Sequence, residues 1–274
     1  MSASRELHGL ITTSPSGDEE EARELAARFG LLAEPRRGRR ADELLARAFP
    51  GPVLVLGALS AELFAQPTAA ARETAGQGEP AGVRASLGMA MLRFTRALAG
   101  EPDSLLRAAA LRPGELVIDA TLGLGGDALM AAQATGARVI GLEKSPMLAA
   151  FAQAALRRPP GDANARKAAL EAAARIDIRA VDHRDALAQM PDQSADVVLF
   201  DPMFRATLDA APVFDVVREH AEMASLSPET LAQARRVARR GVLIKDSPRG
   251  SELRRLGVPE VYARRFLFGW LPSH

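Results

Sequence analysis

Val117-Ile118-Asp119-Ala120-Thr121-Leu122-Gly123-Leu124-Gly125-Gly126-Asp127 is the stretch on which the fold of this chain turns. Two apolar β-branched residues predict a buried strand, and the strand ends in an acid. Four residues on, a glycine-rich turn opens a helical pattern. Glycines let a backbone approach a ligand closely, and the first amides of a helix lack intrahelical partners. Such a turn can serve a ligand, or it can simply make a tight strand-to-helix connection. A dinucleotide site sets G-x-G-x-x-G hard against the strand. Here Asp119 intervenes, and the pattern is D-x-x-x-G-x-G.

Outward from this turn, apolar runs alternate with helical patterns. Val139–Leu142 is followed by a helix from Ser145, and Ile176–Val181 by a short helix. Val197–Phe200 is followed by a loop and a helix through Thr230 to Ala238. Val242–Ile244 and Phe266–Phe268 close the series. This alternation predicts βαβ units and a mostly parallel sheet with one terminal antiparallel strand. Ligands bind such sheets at the carboxyl ends of the strands. Upstream, helices are expected over Leu87–Leu98 and from Asp103. Residues 1 to about 65 predict a small α/β unit. Its strand is Leu10–Thr13, and its helix begins at Asp18 with Ala22, Leu25, Ala26 and Phe29 on one face and Gly30 as the stop. A helix over Ala41–Ala48 and a buried strand at Val53–Leu56 follow. Residues 66–82 read as a linker or crossover. The expected division is 1–85 for the N-terminal unit and linker, and 86–274 for the larger domain.

The 274 residues carry 35 Lys and Arg against 34 Asp and Glu, so no chain-wide basic field exists. Cysteine is absent, which excludes a disulfide scaffold, a thiol nucleophile and Cys-based metal sites. Four scattered His residues show no HxxxH pairing, so no metal is expected. The apolar runs are far too short for a membrane span. Met1–Thr13 lacks the basic-then-apolar order of a secretory signal, and a cytoplasmic location is the expectation.

Acids recur at the strand ends. Glu143 lies twenty residues after Gly123, and an acid there can accept from both ribose hydroxyls of a cofactor, or be a solvated strand-end residue. Asp182, with Asp185 as its rival, fits either an adenine contact or a helix N-cap. Asp201-Pro202-Met203-Phe204 follows the strand Val197–Phe200. An exocyclic amine of a base has its lone pair delocalised into the ring. It attacks an activated methyl better when acceptors hold its hydrogens. The Asp201 carboxylate and Pro202 carbonyl could supply those acceptors, and Phe204 could stack on the base. Proline also stiffens the turn. A structural Asp-Pro turn is the plainer alternative.

Together these motifs resemble class I S-adenosylmethionine-dependent methyltransferases. The first motif of that class usually has a further glycine at the position of Thr121. The runs Asp119–Asp127 and Asp201–Phe204, with Met203 as the third residue, resemble more closely the RsmJ-type enzymes. Those methylate the N2 amine of a guanine in small-subunit ribosomal RNA. The likeness extends to Val242–Lys245. It is closer still to an uncharacterised branch from Gram-positive bacteria, which shares runs like Thr12–Gly30 and Ala108–Gly114. The resemblance implies a Rossmann-like class I methyltransferase fold, a mostly parallel twisted α/β sheet with helices on both faces, plus the N-terminal unit. It implies S-adenosylmethionine as cofactor, held by Asp119, Thr121, Gly123, Gly125, Glu143, Lys144, Asp182, His183 and Asp201. It implies Asp201, Pro202 and Phe204 as the residues presenting the amine, and ribosomal RNA or the small subunit as partner. Against RNA, the segment Arg84–Gly100 keeps only Arg84, Arg93 and Arg96, where the RsmJ-type enzymes are basic. A protein or small-molecule acceptor, a non-catalytic cofactor-binding module and, more distantly, a nicotinamide oxidoreductase are the alternatives.

Among the remaining residues, Arg36-Arg37-Gly38-Arg39-Arg40 reads equally as a phosphate-contacting patch or a solvated loop. Arg235-Arg236, Arg239-Arg240, Arg254-Arg255 and Arg264-Arg265 read as surface cations. Lys245-Asp246 ends a strand and reads either as lining for a substrate mouth or as a surface ion pair. His220 has no evident partner in the sequence. Oligomeric state is not legible.

Overall fold

The computed structural model describes residues 9–48, 51–65, 82–201, 226–263 and 266–273. Pro202, Met203, Phe204, His220 and the linker segment 66–81 lie outside the described residues. The larger sheet has seven strands: β6 (Val117–Asp119), β7 (Val139–Glu143), β8 (Ile176–Ala180), β9 (Ala195–Phe200), β10 (Ala238–Asp246), β11 (Glu260–Ala263) and β12 (Leu267–Pro272). Their order is β11-β12-β10-β9-β6-β7-β8. The five strands β6 to β10 are parallel to their neighbours in this series. The expected antiparallel strand is β12, but it does not end the sheet, because β11 pairs antiparallel to its outer edge. The chain moves from β6 outward to β7 and β8, then returns to β9 on the other side. The crevice between the carboxyl ends of β6 and β9 is therefore the switch point of the sheet, where α/β folds bind ligands.

A second sheet, ordered β2-β1-β3-β4-β5, comprises β1 (Leu10–Thr13), β2 (Leu32–Ala33), β3 (Val53–Leu56), β4 (Ala61–Phe64) and β5 (Gly82–Arg84). The first three are parallel, and β4 and β5 add antiparallel hairpin pairings that the alternation of the sequence did not reveal. Helices α1 (Glu19–Phe29) and α2 (Ala41–Ala48) connect the parallel strands. The caps of α1 fall where expected. Asp18 accepts from the Glu20 amide at 2.8 Å, and Gly30 takes the left-handed conformation at φ 67°.

In the larger unit, α3 (Gly88–Leu98) and α4 (Ser104–Ala109) precede β6. Helices α5 (Gly126–Thr135), α6 (Pro146–Leu156), α7 (Ala163–Ala173), α8 (His183–Gln189), α9 (Pro228–Val237) and α10 (Ser251–Leu256) follow in chain order. Helix α6 starts at the N-cap Ser145, whose hydroxyl accepts from the Leu148 amide at 3.3 Å, with Pro146 at the first helical position. Apart from Gln153 it is apolar on every side, the mark of a helix packed nearly all round. Met147 and Phe151 are buried in one core with Leu25, Leu54 and Leu56 of the N-terminal unit and with Val139 and Ile178 of the larger sheet. Polar contacts reinforce that joint. Arg158 pairs with Glu21 and donates to the Gly57 carbonyl at 2.9 Å, and Arg157 pairs with Glu24 at 2.9 Å. Arg28 of α1 donates to the Ile178 carbonyl at 3.1 Å, which covers part of the open edge of β8.

Candidate active site

Four strand ends meet at the switch point. Register explains why. Asp119 lies opposite Leu199 in the β6–β9 pair, and Ile244 lies opposite Phe200 in the β9–β10 pair. One residue beyond that last pair come Asp201 and Lys245, side by side on parallel strands. Side chains alternate between sheet faces. Leu199 and Leu243 join the core on one face, and Phe200 and Ile244 the core on the other. Asp201 and Lys245 thus share the face of Leu199 and Leu243.

The glycine turn packs onto this face. Leu122 donates its amide to the Leu142 carbonyl at 3.0 Å, and Ala120 donates to Leu199 at 2.9 Å. Gly141 in β7 makes room for the turn, because a Cβ there would lie 2.6 Å from Leu122 Cδ1. Gly123 adopts φ 54°, and a Cβ placed on it would meet only the Thr121 carbonyl oxygen, at 4.0 Å. Gly125, at φ 80°, caps α5. The first bond inside α5 runs from the Leu129 amide to the Gly125 carbonyl at 2.9 Å, and the Gly125 amide is itself spent on the Leu122 carbonyl at 2.8 Å, so among the described residues it is the Gly126, Asp127 and Ala128 amides that are left for an acceptor. The turn is therefore an open cradle with backbone donors beneath it.

Thr121 ties the cradle to the neighbouring strand. Its hydroxyl accepts from the Asp201 amide at 2.6 Å. This is a concrete role for the hydroxyl at a position where the class usually has glycine. Asp119 is buried at the end of β6 and accepts from the Thr121 amide at 3.2 Å. Burial pushes its carboxyl up to about 7, and the Asp127 carboxylate adds to that push.

Asp127, in the first turn of α5, joins a chain of charges. Lys245 Nζ donates to Asp201 Oδ2 at 2.5 Å and to Asp127 Oδ2 at 3.3 Å. Arg93 of α3 donates to Asp127 Oδ1 at 2.5 Å and, through Nε, to Asp103 at 2.8 Å. Burial alone would raise Asp127, but the Lys245 and Arg93 charges hold it below the ordinary carboxylate range. Burial raises Asp201, Lys245 pulls it back, and Asp127 pushes it up again, leaving it at about 6. Lys245 is raised as well. Burial opposes its charge, and the Asp127 and Asp201 carboxylates outweigh burial.

Glu143, at the end of β7, accepts from the Ser145 amide at 2.9 Å and is hydrogen-bonded by the Gly123 and Lys144 amides. Burial still pushes it up to about 7. The link to Gly123 brings this acid to the same cradle. Asp182 lies one strand further out. It caps α8 through the Arg184 amide at 2.9 Å. It also pairs with Arg184 at 2.7 Å and Lys144 at 3.4 Å, and the Arg184 hydrogen bond holds it far below the usual range. The cap is present, then, and its second oxygen serves cations rather than standing bare. His183 sets its ring edge-on to Phe200, centroids 5.7 Å apart.

Lys245 and Asp246 do not form a surface ion pair, because alternation sends them to opposite faces. Asp246 is buried and accepts from the amides of Ser247, Glu252 and Leu253, which anchors the start of α10. Arg254 and Arg255 are exposed, as expected, and Arg264-Arg265 lie outside the described residues, whereas Arg236, Arg239 and Arg240 are bonded within the molecule. Arg236 donates to Leu187 and Met190 carbonyls at 2.8 Å each, Arg239 pairs with Asp196 at 3.1 Å, and Arg240 pairs with Glu115 at 3.0 Å. Sequence reasoning gave no role to Arg93, Asp103 or Asp127. The available signal was an acid in the first turn after Gly125-Gly126, but its cation is 118 residues away in sequence.

The family model described as "Putative SAM-dependent methyltransferase" matches residues 89–256. The uncharacterised protein YpiP of Bacillus subtilis is 34% identical over 65% of this chain and 69% of its own. Ribosomal RNA small subunit methyltransferase J of Alkalilimnicola ehrlichii is 35% identical over 55% of this chain and 58% of its own. That of Laribacter hongkongensis is 43% identical over 40% of this chain and 37% of its own. The matched stretch thus spans about two thirds of the first relative and between a third and three fifths of the other two. The crystal structure of a SAM-dependent methyltransferase from Neisseria gonorrhoeae superposes with TM-score 0.60 at 20% identity, covering 97% of this chain and 96% of that one. At that identity the likeness concerns the fold. It is the Rossmann-like class I architecture expected from the sequence.

Proposed function

We propose that this chain, which belongs to the SAM-dependent methyltransferase family, transfers its methyl group to an exocyclic amine, with guanine N2 of small-subunit ribosomal RNA as the acceptor. The cofactor is S-adenosylmethionine, and the residues present fit it. The cradle offers the backbone donors at the start of α5 to a carboxylate, and two acids, the buried Asp119 and the part-buried Glu143, suit an ammonium and a ribose diol. Bound there, the cofactor supplies a methyl group on a positively charged sulfur.

In this reading Gly123, Gly125, Asp119 and Thr121 seat the amino-acid portion, Glu143 and Lys144 the ribose, and Asp182 and His183 the adenine. Asp201 faces the acceptor. Its carboxylate accepts an amine hydrogen and turns the nitrogen lone pair toward the methyl. Transfer to the nitrogen would leave S-adenosylhomocysteine, and the proton lost by the methylated amine would pass by way of the Asp201 carboxylate to solvent. Pro202 supplies a second acceptor through its carbonyl, and Phe204 stacks on the base. Both assignments rest on the sequence. Alignment of this kind can account for much of the barrier. A base inside a helix must be exposed or flipped to reach Asp201. Residues 1–85 are proposed to present the acceptor, with Arg36–Arg40 toward phosphates. The observation that carries the reading is Asp201 fixed at the switch point beside the glycine cradle, its amide on Thr121.

One observation favours a second reading. The arginine pairs near residues 235–240 are spent on internal bonds, and the chain is close to neutral. A protein or small-molecule acceptor would need no basic surface. The test incubates the protein with methyl-labelled S-adenosylmethionine and small-subunit ribosomal RNA or subunits from cells lacking it, beside Asp201→Ala. Label in N2-methylguanine, lost in the variant while S-adenosylhomocysteine still binds, supports the RNA reading. Label confined to protein or metabolite fractions replaces it with the second.

A further inference from the structure

The glycine cradle and the acceptor-side acid share one buried ammonium. Lys245 Nζ contacts Asp127, in the first turn after the cradle, and Asp201, at the end of β9. Its side chain is only 15% exposed, and Nζ sits 4.9 Å from the centroid of the Phe266 ring. The position is fixed by the β9–β10 register rather than by a mobile loop.

We propose that Lys245 is a positioning residue, which occupies one oxygen of Asp201 so that the carboxylate stays ionised and presents its other oxygen to the acceptor amine. This rests on the reading that Asp201 faces the acceptor. Three constraints act on Asp201. Its amide is held by Thr121, its Oδ2 by Lys245, and among the described residues its Oδ1 has no hydrogen-bond donor. An ionised carboxylate only accepts, whereas a protonated one carries a hydrogen of its own. Ionisation therefore decides whether Oδ1 can take an amine hydrogen.

The surroundings make that ionisation precarious. Asp201 is faced by Asp119 from β6 and Asp127 from α5, both of which disfavour a third negative charge. The cations are Lys245 from β10 and Arg93 from α3. Arg93 is committed to Asp103 and Asp127. Lys245 is the cation in direct contact with Asp201, so its removal leaves three acids around one distant guanidinium. Two of its three donors are spent on carboxylates, and the Asp201 contact is the shorter, 2.5 Å against 3.3 Å to Asp127.

The test reads Asp201 directly, without any acceptor. Protein labelled with 13C at Asp carboxyls is titrated by NMR, and Asp201 is assigned by its loss in Asp201→Asn. In Lys245→Met the Asp201 midpoint rises by about one unit or more, a tenfold or greater shift in protonation, as expected when an adjacent opposite charge is lost. Lys245→Arg brings the midpoint back toward that of the unaltered protein. Asp127→Asn moves it the other way, because a like charge is removed and Lys245 is released to Asp201. This second variant carries the test should Lys245→Met fail to fold. Midpoints within 0.3 units (roughly twofold) in both variants overturn the proposal. With an acceptor in hand, the acid limb of the single-turnover rate should move with the midpoint. A limb that stays put while Asp201→Asn is inactive overturns the positioning role alone. Full methylation by Asp201→Asn overturns the acceptor-facing reading on which it rests.

Discussion

Arg93→Met tests whether charge fastens α3 to the cradle. Arg93 makes three hydrogen bonds to two acids: 2.8 and 3.1 Å to Asp103, and 2.5 Å to Asp127. The acids are well sheltered, with side chains 7% and 10% exposed. Methionine keeps the apolar stem and removes only the guanidinium. Breaking a buried pair from one side costs about 3–5 kcal/mol. Two features put this case at the low end. Arg93 is itself 29% exposed, and each acid keeps other donors, Asp103 the Leu105 and Leu106 amides and Asp127 the Lys245 ammonium. A loss of about 3 kcal/mol is expected, or a Tm lower by roughly 6–12 °C for a chain of this size. The pH dependence follows from the sign of the shifts. Asp103 and Asp127 are both held below their ordinary values in the folded state. Their stabilisation is complete above the unfolded carboxylate value, about 3.9, and is lost as pH falls through the folded values. The gap between the two proteins should be widest near pH 7 and narrow steadily as pH falls below about 5. Urea denaturation from pH 3 to 7.5 measures it. A gap under about 1 kcal/mol, or one that does not change with pH, would refute the charge argument and leave stem packing as the contribution of Arg93.

Two further outcomes follow from the same geometry. Thr121→Val removes the acceptor for the partly buried Asp201 amide, which should cost about 1 kcal/mol and slow methyl transfer more than it weakens cofactor binding, with Thr121→Ser restoring both; equal behaviour of Val and Ser would sink the role assigned to the hydroxyl. Asp119 and Glu143 are both pushed up to about 7, so cofactor affinity should rise between about pH 6 and 8 as they ionise, with protons released on binding near neutral pH; calorimetry in buffers of different ionisation heat reads this, and a flat profile counts against either acid as a cofactor partner. Because those two folded values lie above the unfolded ones, the protein without cofactor should lose stability as pH rises from about 4 to about 7.

Much of the fold was legible because its signals are local. The caps at Asp18, Gly30 and Ser145-Pro146 depend on neighbours within a turn. The glycine cradle depends on backbone conformations that a few adjacent residues dictate. Strands β6 to β10 announce themselves by apolar runs separated by helical patterns. What stayed hidden depends on distant partners. Strands β4, β5 and β11 are short, and only pairing gives them their form. Helix α7 has a small apolar stripe of Ala165, Ala169 and Ala172, too weak to stand out in an alanine-rich chain.

The site divides along the same line. The cradle, the acids at the strand ends and the family are legible in the linear chain, because each is a short run whose chemistry is readable in place. Which charges meet is set by the packing of distant elements. Lys245 and Asp246 are adjacent in sequence and opposite in space, since alternation in a strand separates neighbours by a whole sheet. Arg93, Asp127, Asp201 and Lys245 are far apart in sequence and adjacent in space, since parallel register and one helix packed across it bring them together. Electrostatic energy depends on separation and burial, neither of which a linear order contains.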